Sequence, residues 1–63
     1  MNIGKNITAF RKDAGMTQEE LAGQIGVSAQ AVSKWERELS YPDITTLPIL
    51  AEVIGCMIDA FFE

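Results

Sequence analysis

The sequence predicts an all-α fold, a compact bundle of five short helices in one domain spanning 1–63. Three observations carry this. Apolar residues recur three and four positions apart along most of the chain, glycines at 15, 26 and 55 close successive periodic runs, and no stretch shows the apolar–polar alternation of a half-buried strand. The first helix runs from an Asn2 cap to Gly15, with Ile3, Ile7, Phe10 and Ala14 at helical spacing. Thr17-Gln-Glu-Glu20 has the form of a capping box, in which the threonine hydroxyl accepts a backbone N–H and Glu20 reaches back to the cap. The second helix therefore begins near Gln18, buries Leu21, Ala22 and Ile25, and stops at Gly26, where a positive φ suits glycine.

Ser28 caps the third helix. Val32 and Trp35 fall on its inner side, while Ala29, Gln30, Ser33, Lys34 and Arg37 face away. The segment from Glu38 to Asp43 has little periodicity and contains Tyr41-Pro42, so it reads as a loop. Pro48 is tolerated only in a first helical turn, which makes Thr45 or Thr46 the expected cap of helix four, with Leu47, Leu50, Ala51 and Ile54 as its core stripe. The fifth helix is the short end from Met57 to Phe62.

Composition limits what such a domain can do. At 48% hydrophobic and 22% charged the chain is too apolar to be intrinsically disordered. A chain this short buries only about 60% of its unfolded surface, which leaves little room for an enzyme cleft. With no histidine and one cysteine, neither a nucleophile–base pair nor a transition-metal cluster can be assembled in the usual ways, so no enzyme activity, metal or cofactor is expected. Cys56 is expected to be a small apolar packing residue. No apolar run approaches the roughly 18 residues of a membrane span and no secretory leader is visible, so the reading is cytoplasmic, with no membrane partner.

The net charge of −4 argues against a nucleic-acid partner, but its distribution softens the objection. Up to Arg37 five bases meet four acids, a net +1, whereas everything from Glu38 onward carries five acids and no base. A binding face, if there is one, belongs to the first half.

The segment 17–37 carries the function. Two helices joined through one glycine pack at about 90–120° and leave the second prominent, a shape that fits a DNA major groove. That packing needs a small residue where the helices cross (Ala22), glycine in the turn (Gly26), and apolar residues at Leu21, Ile25, Val27, Val32 and Trp35, and all are present. An αα-corner in an ordinary helical bundle is the alternative.

On these residues the chain resembles the Cro/Xre-type phage-repressor helix-turn-helix family, of lambda-repressor-like fold. The resemblance extends from Ile3 to Phe62. It rests most on Thr17-Gln18-Glu19-Glu20-Leu21-Ala22, Gly26-Val27-Ser28, Val32-Ser33-Lys34-Trp35-Glu36-Arg37, and Pro42 with Leu47, Ala51 and Gly55 at the family's distances. It implies a sequence-specific transcriptional regulator, a repressor or the N-terminal module of one, whose third helix enters the major groove of double-stranded DNA. Carried over residue by residue, Gln18, Ser28, Ala29, Gln30, Ser33 and Lys34 form the reading set. Gln18 at a helix N-terminus suits a phosphate or a base edge, Gln30 can pair with adenine N6 and N7, Lys34 can donate to guanine O6 or N7, and the Ala29 methyl can meet a thymine methyl. Arg11 is implied to pair with Glu36 and turn other donors to phosphate, with Asn6, Lys12 and Arg37 as further backbone contacts. The alternative for each polar residue is a plain solvated surface.

The chain departs from the family pattern where Glu38 replaces the glycine usual after Trp-Glu-Arg, where the loop to Asp43 lacks any base, and where Met57 stands in place of a capping serine. These changes lower the expected DNA affinity. Dimer formation would compensate, since such proteins commonly bind paired half-sites. Ile49, Val53 and one of Phe61 or Phe62 are the expected contact, for a second copy or for a further domain, against simple burial within the bundle. The competing function is a protein-interaction module that keeps the fold and binds another protein, as the acidic pI of about 4.5 would suit.

Overall fold

The computed structural model describes residues 2–55 and 61. Four helices are present among them, α1 (Ile3–Asp13), α2 (Gln18–Ile25), α3 (Ala29–Glu36) and α4 (Thr46–Ile54). The expected fifth helix, together with Cys56, Met57 and Phe62, lies outside the described residues apart from Phe61, so the described part is an all-α bundle of four helices rather than five.

Each start and stop has a local cause. Thr17 opens α2 with the capping box its sequence implies: its hydroxyl accepts the Glu20 N–H at 3.0 Å, and Glu20 Oε1 accepts the Thr17 N–H at 2.9 Å. Gly26 ends α2 at φ 78°, with the Val27 N–H turned back to the Ala22 carbonyl. One residue later the Ser28 hydroxyl accepts the Ala31 N–H and α3 begins. Gly15 and Gly55 end α1 and α4 with positive φ as well.

Asn2 and Thr45 hold the expected cap positions of α1 and α4 but make no side-chain cap bond of their own. At α4 neither threonine is the acceptor. Asp43 Oδ1 takes the N–H groups of Thr45 and Thr46 at 3.1 and 2.9 Å and both their hydroxyls at 2.7 and 2.8 Å, because a carboxylate one turn upstream offers a stronger acceptor than a hydroxyl that must rotate to serve. Those bonds hold the exposed Asp43 carboxyl below its ordinary pKa.

The core draws on every helix. Ile3 and Ile7 of α1, Leu21 and Ala22 of α2, Val32 and Trp35 of α3, and Leu50, Ala51 and Ile54 of α4 are buried against one another, joined by Phe61. Each fully buried aliphatic side chain contributes about 1.5–3 kcal/mol, so a few such positions dominate the stability of a domain this size. Ala14, read as part of the α1 stripe, is exposed as the C-cap. α2 packs on α3 and α4, and α1 packs on α3. No helix among the described residues is long and apolar enough to cross a membrane.

Candidate nucleic-acid interface

α3 is held from behind and open in front. Val32 and Trp35 anchor it in the core, while Ser28, Gln30, Lys34 and Arg37 are exposed and Ser33 is half-buried. Ala29, expected to face away, is half-buried and packs partly against the core. Directly after the Ser28 cap, its methyl falls on the side of the first turn that meets the core. Arg37 Nε turns back to its own helix, donating to the Ser33 carbonyl at 3.4 Å.

Beside α3 lies a charged joint that ties three helices together. Arg11 on α1 donates from Nε to Glu36 Oε2 at 2.7 Å and from Nη2 to Glu36 Oε1 at 3.1 Å, a two-pronged ion pair whose side chains are only 10% and 7% exposed. Its Nη1 donates to the Met16 carbonyl at 2.7 Å, anchoring the α1–α2 turn. Gln18, the first residue of α2, donates from Nε2 to Glu36 Oε1 at 3.1 Å. Burial raises the Glu36 pKa, but the hydrogen bonds from Arg11, Gln18 and Thr8 and the Arg11 charge outweigh it and hold the carboxyl below its ordinary value. The joint sets α2 and α3 against α1 by directional bonds, where apolar packing alone would allow sliding.

The expected reading set is thus divided. Gln30, Lys34, Ser33 and Ser28 share the outward part of α3, and Gln18 is brought to its edge with its amide already engaged by Glu36. Of the expected backbone contacts, Lys12 is exposed at the end of α1, whereas Arg11 is 9% exposed and committed to Glu36 and Met16. Asn6 Nδ2 donates to the Phe61 carbonyl at 2.9 Å, tying α1 to Phe61. Sequence reasoning missed the Gln18–Glu36 bond and the Met16 carbonyl as a partner of Arg11. No spacing rule links these positions, since backbone carbonyls leave no mark in a sequence.

The expected dimer contact needs one correction. Phe61 is fully buried and packs edge-on against Phe10, ring centres 5.9 Å apart, so its ring is used within the core and is not on offer to a second copy. Val53 is half-buried on the core, Ile49 is 47% exposed, and Phe62 lies outside the described residues.

Two short helices around a left-handed glycine, the second anchored from behind and polar in front, define a helix-turn-helix protein. A helix-turn-helix family model matches residues 7–61, and the chain belongs to that family. Among its relatives, the HTH-type transcriptional activator BcrR of Enterococcus faecalis is 34% identical over 59 residues, 94% of this chain and 29% of its own length. An uncharacterized HTH-type transcriptional regulator, y4dJ, of Sinorhizobium fredii is 38% identical over 84% of this chain and 69% of its own. The immunity repressor protein of Bacillus phage phi105 is 32% identical over 95% of this chain and 42% of its own. The chain thus spans between 29% and 69% of the length of these relatives. Among solved structures, the P22 c2 repressor in complex with a synthetic operator superposes with TM-score 0.91 at 33% identity, covering 97% of this chain and 92% of that one. The biofilm regulator SinR in complex with DNA gives 0.89 at 31%, covering 97% and 98%.

Proposed function

We propose that the chain is a sequence-specific double-stranded DNA-binding domain of a cytoplasmic transcriptional regulator, a repressor or its N-terminal module, that places α3 in the major groove. The observation that carries this reading is the α3 surface: Gln30 and Lys34 stand exposed on a helix whose opposite side is locked into the core. A rigid helix offering an amide and an ammonium group can read adenine and guanine edges. Gln18 at the N-terminus of α2 would complete the contact with a phosphate, with Lys12 and Arg37 as charge donors. The two family structures that carry DNA support the same reading.

The Arg11–Glu36 pair removes one objection to an acidic DNA binder. Glu36 would repel phosphate if unpaired, and the guanidinium against it cancels its field while leaving Lys34 as the net charge of the helix. A homodimer, with Ile49 and Val53 in its contact, would double the phosphate and base contacts. Selection of bound duplexes from a randomised library at about 50 mM salt tests the function. An enriched motif supports it, a palindromic one supports the dimer, and no enrichment from folded protein would transfer the assignment to a protein-interaction module. Sedimentation of Val53→Asp, expected to shift the chain toward monomer, checks the dimer separately; an unchanged oligomeric state refutes that contact.

A further inference from the structure

The end of α3 is built in an unusual way. Glu38 has φ 62°, the one positive value on a non-glycine residue among those described. The Leu39 N–H donates to the Lys34 carbonyl at 2.9 Å and the Glu38 N–H to the Trp35 carbonyl at 3.2 Å, the bond pair of a Schellman ending. The same ending on α1 uses Gly15, which adopts that backbone without penalty, whereas a glutamate's Cβ crowds the neighbouring carbonyl. Something must hold the strained residue in place. Glu38 Oε1 accepts the Gly4 N–H at 2.6 Å, across 34 residues of sequence.

Gly4 sits in the first turn of α1, where backbone N–H groups have no partner within the helix and where Asn2 supplies no cap bond. The joint is tight, since a Cβ on Gly4 would stand 2.5 Å from the Trp35 carbonyl oxygen and 2.8 Å from that of Glu36. The start of α1 therefore rests directly on the last turn of α3, and the Glu38 carboxylate closes the contact.

We propose that Glu38 is a positioning residue for DNA reading: its bond to the Gly4 N–H locks the last turn of α3, and so sets the angle at which Lys34 and Arg37 meet the duplex. The proposal rests on the reading of α3 as the DNA-contacting helix. It gives a reason for a long acceptor side chain at this point despite its repulsion of phosphate, because losing the acceptor loosens the helix end.

The two effects have opposite signs and separate by substitution. Glu38→Gln keeps an acceptor oxygen and drops the charge, while Glu38→Gly drops both and relaxes the backbone. Glu38→Asn serves in its place if the glycine variant fails to fold, since asparagine tolerates this backbone and is one methylene too short to reach Gly4. The measured quantity is the ratio of affinities for the selected duplex and a scrambled one, at a temperature where melting curves show every variant folded. The expected result is a ratio within about twofold of wild type for Glu38→Gln and about fivefold lower for Glu38→Gly or Glu38→Asn, with scrambled DNA bound no more weakly by any of them. Equal ratios in wild type and the variants would overturn the proposal and leave Glu38 a repulsive charge alone. A wild-type chain that selects no duplex would overturn the DNA reading and the proposal together.

Discussion

Replacing Gly4 and Gly23 by alanine, one at a time, applies the same chemical change to two helices with opposite expected results. At Gly23 in α2 an added Cβ meets nothing within 4 Å, so the only effect is the better helix propensity of alanine, a gain of about 0.5–1 kcal/mol. At Gly4 in α1 the added Cβ lies 2.5 Å from the Trp35 carbonyl oxygen, 2.8 Å from that of Glu36 and 2.8 Å from Glu38 Oε1. Two of these are backbone atoms that cannot rotate away, so the helices must part at that point. Overpacking of this kind costs about 1–3 kcal/mol, and stretching the Glu38–Gly4 hydrogen bond adds about 1 kcal/mol. Net of propensity, Gly4→Ala loses about 2 kcal/mol. In a domain of this size 1 kcal/mol moves Tm by about 4–8 °C, so Gly4→Ala melts about 10 °C below wild type and Gly23→Ala about 4 °C above it. Thermal and urea unfolding followed by circular dichroism measure both. A Gly4→Ala variant as stable as wild type would refute the close approach of α1 and α3.

Glu36→Gln leaves the Arg11 guanidinium nearly buried beside a neutral amide and lowers stability at pH 7 by about 2 kcal/mol in urea titrations. The folded Glu36 pKa lies below its usual value of about 4.5, so its contribution is fully present above that pH and is lost as pH falls through the folded value. The Glu36→Gln variant should therefore show a flatter loss of stability below about pH 4.5 than wild type. Phe61→Ala removes a fully buried ring and costs about 3–4 kcal/mol, most of the stability of so small a domain; a variant with wild-type Tm would contradict its place in the core. Thr17→Ala removes the acceptor for the Glu20 N–H and lowers stability by about 1 kcal/mol, measured in the same way.

What the sequence made legible was local. The Thr17–Glu20 box, the Gly26 turn and the Ser28 cap are each decided within four residues, and the inward spacing of Val32 and Trp35 follows from helical period alone. The Arg11–Glu36 pair spans 25 residues and came from family resemblance, not from spacing. Illegible features depend on which helix end meets which. Asp43 could be matched to the α4 cap only after the loop conformation was known, and the burial of Phe61 depends on α1 offering Phe10 and Asn6 to receive it. Glu38 looked like a lost glycine and a misplaced charge. Its bond to Gly4 joins elements far apart in the chain, a pairing that no propensity encodes.

Base reading by α3 is what the proposed function requires. The most direct test measures affinity of wild type, Gln30→Ala and Lys34→Ala for the selected duplex and for each single-base-pair variant of it, at fixed salt. Each substitution is expected to erase discrimination at one base pair per half-site, worth about 1–3 kcal/mol there, and to leave the others intact. Uniform weakening across all the duplexes, or no change in any of them, would contradict base reading by α3.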